Sequence, residues 1–244
     1  MPDDLEMARN MRWMEAKYGF PNVICGIDGT HCAFDGTPRG IPAGMDPVRF
    51  INRKGFNSLN VLVTGGFSGK IYDLVVTAPG SFHDAGIYHQ SHVRAWLETK
   101  FPRRLCLGDS AFAISPVMIT PYTTAEVEAD VTGKLRRFNT KHSGARMEMT
   151  EHIFAVWKRR WPIIRSLRVH LQNAQRIVLA TAVLHNMAIL WREELPDDFD
   201  EDEDIQPGNP DITIEDDEDS VSRRNAGKIA RTNLRERMEL RFNV

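Results

Sequence analysis

Val23-Ile24-Cys25-Gly26-Ile27 is a short apolar run with β-branched residues, and Asp28-Gly29-Thr30-His31 follow it directly. The run predicts a buried strand that delivers Asp28 at its carboxyl end. Residues 104–107 repeat the pattern, a short apolar strand ending in Gly108-Asp109. If the two strands are neighbours running the same way, both carboxylates emerge at one edge of a sheet.

Working outward, Leu59–Thr64 and Ile71–Thr77 read as two further strands. The spacer between them, Gly65-Gly66-Phe67-Ser68-Gly69-Lys70, is turn-forming and predicts an antiparallel hairpin. Helices are expected over residues 3–18, ended by Gly19 and Pro21, and over 84–98. Two more are expected over 145–161, stopped by Pro162, and over 174–190, which is apolar on more than one face. Residues 38–56 are rich in Gly, Pro and Arg and read as a surface loop, and 113–142 read as irregular. Strands alternating with helices define an α/β domain with a sheet flanked by helices.

The 244 residues, 42% hydrophobic and 26% charged, suffice for one main core. The formal net charge of −2 averages unlike segments. Residues 197–219 carry no basic side chain, whereas the following stretch is rich in arginine with helical spacing through Ile229, Leu234, Met238 and Leu240. The expected organisation is an N-terminal helix at 1–22, the main domain at 23–195, a disordered acidic linker at 196–222 and a basic C-terminal helix at 223–244. Cys25, Cys32 and Cys106 form no paired motif, which suits free buried thiols in a reducing, intracellular compartment. No apolar run approaches the roughly 18 residues that span a bilayer, and the acidic, polar amino terminus is unlike a signal peptide, so no membrane partner is expected.

Five words in the chain carry more information than single acids. They are Val23 to His31 as quoted; Pro79-Gly80-Ser81-Phe82-His83-Asp84; Leu107-Gly108-Asp109-Ser110-Ala111-Phe112; Glu151-His152-Ile153-Phe154-Ala155-Val156-Trp157-Lys158-Arg159-Arg160-Trp161; and Leu184-His185-Asn186. In this order they cover roughly residues 20–195 and resemble the PIF/Harbinger transposases, a family that includes domesticated Harbinger-derived nucleases.

The resemblance implies a ribonuclease H-like mixed sheet flanked by helices and a DDE-type endonuclease that acts on DNA in the nucleus. It also implies divalent cations, Mg²⁺ or Mn²⁺, held by Asp28, Asp84, Asp109 and Glu151. Asp28 would bridge two ions, Asp109 and Glu151 would each complete one side, and Asp84 would support a metal directly or through water. Carboxylates suit such hard ions, whereas His31 and His83 are expected to orient neighbours or contact phosphate.

Glu148 competes with Glu151. The family usually places an arginine four residues before its acid, but Arg146 precedes Glu151 by five. Arg53, Lys54, Arg136, Arg137, Lys141 and Lys158 to Arg160 could line a phosphate-binding groove. His185 is expected to pack or hydrogen-bond, and Trp157, Trp161 and Trp191 to fill the core. Family transposases usually carry DNA-binding helices before the first catalytic strand, and a Myb-like protein contributes to target recognition. Only about 20 residues precede Val23 here, so the chain is expected to be a truncated copy, a gene-model fragment or a domesticated descendant whose DNA specificity comes from a partner. The alternative is a catalytically silent nuclear protein-interaction scaffold.

Overall fold

Asp3 and Gly19 set the limits of the first element. In the computed structural model, which describes residues 2–34, 40–195 and 218–241, helix α1 spans Asp4–Tyr18. The Asp3 carboxylate accepts from the Glu6 amide at 2.7 Å, and Gly19 closes the helix at φ 78°. Strands β1 (Val23–Phe34), β2 (Ser58–Gly65) and β3 (Ile71–Pro79) follow, then helices α2 (Asp84–Gln90) and α3 (His92–Lys100). Next come β4 (Leu105–Leu107), β5 (Met118–Ile119), α4 (Thr124–Ala129), α5 (Lys134–Met149), α6 (Glu151–Arg160), β6 (Ser166–Leu167), α7 (Leu171–Trp191) and α8 (Glu218–Arg241).

One mixed sheet in the order β3-β2-β1-β4-β5 organises the chain, with β6 also paired to β1. β1, β2 and β3 are antiparallel neighbours, so the expected hairpin forms, while β4 and β6 run parallel to β1. Leu59, Val61, Val63, Cys32 and Phe34 face α6 and α7 through Ile153, Trp157, Ala174 and Val178. Cys25, Ile27 and Leu62 face the opposite way, against Ile87, Tyr88, Val93 and Leu97 of α2 and α3. Period-2 alternation on β1 and β2 thus builds a core on each side of the sheet.

Several expected boundaries move. β1 is twelve residues long, so Asp28 lies inside it and not at its terminus. Thr30, Cys32 and Phe34 continue the buried alternation, but the polar residues among them disguise it in the sequence. The helix expected over 84–98 is two, separated by Ser91 in extended conformation. The region expected to be irregular holds β5, α4 and most of α5. The buried stripe of α5, Phe138, His142, Ala145 and Met149, has helical spacing and was the available signal. The helix expected over 145–161 is broken at Thr150, with φ −133° and ψ −69°. Pro47–Phe50 forms a 3-10 helix within the expected surface loop.

α7 is long and apolar enough to cross a membrane by length and composition, which departs from the expectation that no apolar run approaches that span. Leu171, Ala174, Val178 and Ala182 pack it into the core, and the Leu184-His185-Asn186 word ties it to the hairpin. His185 Nε2 lies 2.9 Å from the Gly69 carbonyl, and Asn186 exchanges two hydrogen bonds with the Ile71 backbone. Trp157 is fully buried and Trp161 packs against the core, but Trp191 is 65% exposed, because it lies beyond the part of α7 that meets the sheet.

α8 begins at Glu218, earlier than expected, and packs onto the domain. Leu234 and Met238 join Phe20, Phe138 and Met149, whereas Ile229 and Leu240 point outward. The acidic segment at 196–217 lies outside the described residues.

Candidate functional site

A register relation places the first two acids. Gly26 of β1 pairs with Leu107 of β4 in parallel, so Asp28 and Asp109 each lie two residues beyond a matched pair. β4 ends there, and β6 joins β1 only at Ala33. Over residues 27–32, β1 has β2 on one side and, among the described residues, no strand on the other. This notch in the sheet brings carboxylates from both faces toward one edge.

Asp28 shares a face with Gly26, which lies beneath the α5–α6 junction. A Cβ on Gly26 would stand 2.9 Å from Met149 Cβ, and one on its cross-strand partner Gly65 would stand 2.7 Å from the Met149 carbonyl oxygen. Two facing glycines therefore let the junction descend onto the sheet. The Arg146 guanidinium reaches Asp28 Oδ2 with one nitrogen and Glu151 Oε1 with the other, the latter at 2.8 Å. Five residues on an unbroken helix would place Arg146 and Glu151 about 140° apart. The break at Thr150, whose hydroxyl donates to the Arg146 carbonyl at 2.9 Å, absorbs the extra residue and returns both side chains to one side.

Glu148 points elsewhere, held by Lys17 and by the Tyr18 hydroxyl at 2.7 Å. Of the two competing acids, only Glu151 is joined to Asp28 through Arg146.

Asp84 approaches from the other face. Gly29 points toward α2, and a Cβ there would lie 2.1 Å from Asp84 Oδ1, so the carboxylate fills the space that glycine leaves. Asn60 donates to the same oxygen at 2.6 Å. Burial pushes the Asp28 carboxyl up to about 7; Arg146 opposes this, while Asp84 and Asp109 add to it. Burial also raises Asp84, against Asn60, with Asp109 adding repulsion and His83 and Arg53 relieving it. Asp109 accepts from the Ala111 amide at 2.9 Å.

His31 Nδ1 lies 3.0 Å from the Ser58 hydroxyl, in keeping with an orienting role. Of the basic residues considered for a groove, Arg53 acts electrostatically on Asp84, whereas Lys158 is buried near Cys32.

No three His, Cys, Asp or Glu side chains among the described residues converge to enclose one ion. The donor chemistry nevertheless suits a hard divalent cation, since buried carboxylates that repel one another gain most from added positive charge. Mg²⁺ is usually held by one or two carboxylates, with waters and substrate phosphate completing its shell.

Residues 27–186 match the family model of the DDE superfamily endonuclease. The chain belongs to the DDE superfamily endonuclease family. Among curated proteins, this family member is 28% identical over 175 residues to the Rattus norvegicus protein named "Putative nuclease HARBI1", covering 70% of this chain and 47% of the relative. It is 28% identical over 193 residues to the Mus musculus protein of the same name, covering 75% and 52%. The Xenopus laevis protein matches at 28% over 174 residues, covering 68% and 48%. These relatives bear out the Harbinger-type resemblance. The chain spans about half the length of the curated relatives it matches. No solved structure matches it.

The DDE family match covers Asp28, Asp84, Asp109 and Glu151, and also Arg146, which sequence reasoning used only as a register mark. Its position five residues before Glu151 pointed to a mismatch, when the real signal was a helix break. Asn60 was not singled out; a polar residue inside a fully buried strand pattern could have marked it.

Proposed function

We propose that this family member is a divalent-metal-dependent DNA endonuclease on a ribonuclease H-like frame, hydrolysing phosphodiester bonds by a two-metal mechanism. The Gly26–Leu107 register carries this reading, because Asp28 and Asp109 each follow that parallel pair by two residues beside the open edge of β1. Asp28, Asp109 and Glu151 would hold the Mg²⁺ or Mn²⁺ ions, with Asp28 shared between them. Asp84 would support the site from the α2 face, directly or through water.

Bound ions there would lower the pKa of an attacking water and neutralise charge on the leaving oxygen. Among the described residues the chain supplies an edge free of a strand along residues 27–32, where a nucleic-acid backbone can approach the carboxylates. Asn60 fixes one oxygen of Asp84, and the Ala111 amide orients Asp109. Arg53 places positive charge beside Asp84, where phosphate would arrive. Action in the nucleus with a Myb-like targeting partner belongs to the same proposal, supported by family resemblance.

The test is nicking of supercoiled plasmid by the purified chain with Mn²⁺ or Mg²⁺. Asp28→Ala, Asp109→Ala and Glu151→Ala should each lower the rate by a factor on the order of 10² or more while circular dichroism still reports a folded chain. Undiminished nicking by purified Asp109→Ala would refute the assignment. A silent nuclear scaffold is the second reading, favoured by one observation: Arg146 already pairs with both Asp28 and Glu151. Calorimetric titration with Mn²⁺ separates the two, since a scaffold should take up no stoichiometric metal.

A further inference from the structure

The guanidinium of Arg146 occupies an unusual position for a residue outside the proposed ligand set. Its two terminal nitrogens contact Oδ2 of Asp28 and Oε1 of Glu151, one oxygen from each of two proposed metal-holding groups. The arrangement is semi-buried, with the three side chains 14 to 20% exposed. It is also built from three places in the chain. Arg146 comes from the last turn of α5, Glu151 from the first turn of α6, and Asp28 from inside β1. The break at Thr150 and the glycine pair beneath it hold these parts together.

A guanidinium carries a single charge spread over a planar fork, and it matches carboxylate and phosphate geometry equally well. A divalent cation would need the same Asp28 and Glu151 oxygens that Arg146 now holds. Both cations cannot fully engage those oxygens at once, so metal entry and the Arg146 bridge are in competition. The released fork would remain within the notch, where its best alternative partner is a phosphate oxygen of the substrate.

We propose that Arg146 is a built-in counter-ion, which keeps Asp28 and Glu151 paired before divalent metal binds and moves to the DNA phosphate when metal and substrate arrive. The bridge thereby stabilises two acids that would otherwise repel with no cation between them, at the cost of weaker metal uptake in the absence of DNA. This inference rests on the proposed nuclease function and adds a regulatory step to the same site.

The experiment is calorimetric titration of the full chain with Mn²⁺ alone, compared among wild type, Arg146→Gln and Arg146→Lys, with plasmid nicking measured in parallel. Removing the competing charge should tighten Mn²⁺ binding by roughly tenfold in Arg146→Gln. Nicking at saturating Mn²⁺ should fall by a factor on the order of 10². The metal-free glutamine variant should melt below wild type, and Mn²⁺ should raise its melting temperature by more than it raises that of wild type. Arg146→Lys keeps the charge but loses the fork, so it should retain wild-type Mn²⁺ affinity and still nick more slowly.

Unchanged or weaker Mn²⁺ binding by folded Arg146→Gln overturns the counter-ion role. If wild type nevertheless binds Mn²⁺ and nicks DNA, the proposed nuclease function survives that result. If neither wild type nor Arg146→Gln takes up Mn²⁺, the nuclease proposal fails and this inference fails with it.

Discussion

At the scale of single residues, Asp28 is under opposing influences. Burial and the neighbouring Asp84 and Asp109 favour its neutral form, while Arg146 favours its charge, and the balance leaves its carboxyl at about 7. An unfolded aspartate titrates near 3.8, so between these values the folded chain holds a proton that the unfolded chain has lost. The stability contribution is therefore complete below about 3.8 and is lost as pH rises through about 7. His142 works the other way. Burial lowers it to about 4, so its contribution is complete above about 6.5 and is lost as pH falls toward 4. The stability difference between metal-free wild type and Asp28→Asn isolates the first effect, because His142 is common to both. Urea unfolding from pH 4 to 8 should show wild type losing a few kcal/mol relative to the variant as pH rises. A difference that stays flat across this window would contradict the buried, mutually repelling carboxylates. That Asp28 and Asp109 each follow an apolar run was legible, but the run did not show that β1 continues past Asp28 to Phe34. Arg146 was not, since its role depends on a backbone break that no local pattern announces.

At the scale of elements, the α5–α6 break and the hairpin beneath it act as one device. Gly65 is decisive because a methyl group there would meet the Met149 carbonyl and Ile153 Cδ1, the latter at 2.2 Å. The side chain of Ile153 can turn away, but the carbonyl belongs to the junction itself. Gly65→Ala should therefore destabilise the fold by about 1–3 kcal/mol in urea unfolding. A loss below about half a kcal/mol would mean that the junction lies further from the sheet than described. The strands were readable from their apolar runs, with Ser58–Gly65 and Ile71–Pro79 lying close to expectation. Helix α5 was hidden by a polar sequence whose core-facing side is only the stripe Phe138, His142, Ala145 and Met149. Ser91 and Thr150 divided helices that had looked continuous, and neither carries the proline or glycine that usually signals such a break.

At the scale of the whole molecule, a mixed sheet flanked by helices brings side chains far apart in sequence to one edge, and family membership accounts for the order of the words. The family match ends at residue 186, yet α8 is bound to the domain beyond it. Arg231 donates to the Pro121 carbonyl at 2.8 Å and to Glu126 at 2.9 Å, with its guanidinium 3.8 Å from the Tyr122 ring centre. The sequence suggested a separate basic helix because arginines dominate its composition, while the residues that dock it, Arg231, Leu234 and Met238, occupy one narrow face. The sequence offered the pairing of the strands before Asp28 and Asp109 only as a condition, that they be parallel neighbours, and the register of β1 and β4 meets it. Whether these acids hold metal is the central claim. Crystals of the chain soaked in Mn²⁺ and measured for anomalous scattering test it most directly. The account predicts manganese bounded by the carboxylates of Asp28 and Asp109, with Arg146 withdrawn from Asp28. Manganese bound only elsewhere, or absent at saturating concentration while Arg146 still bridges Asp28 and Glu151, would contradict it.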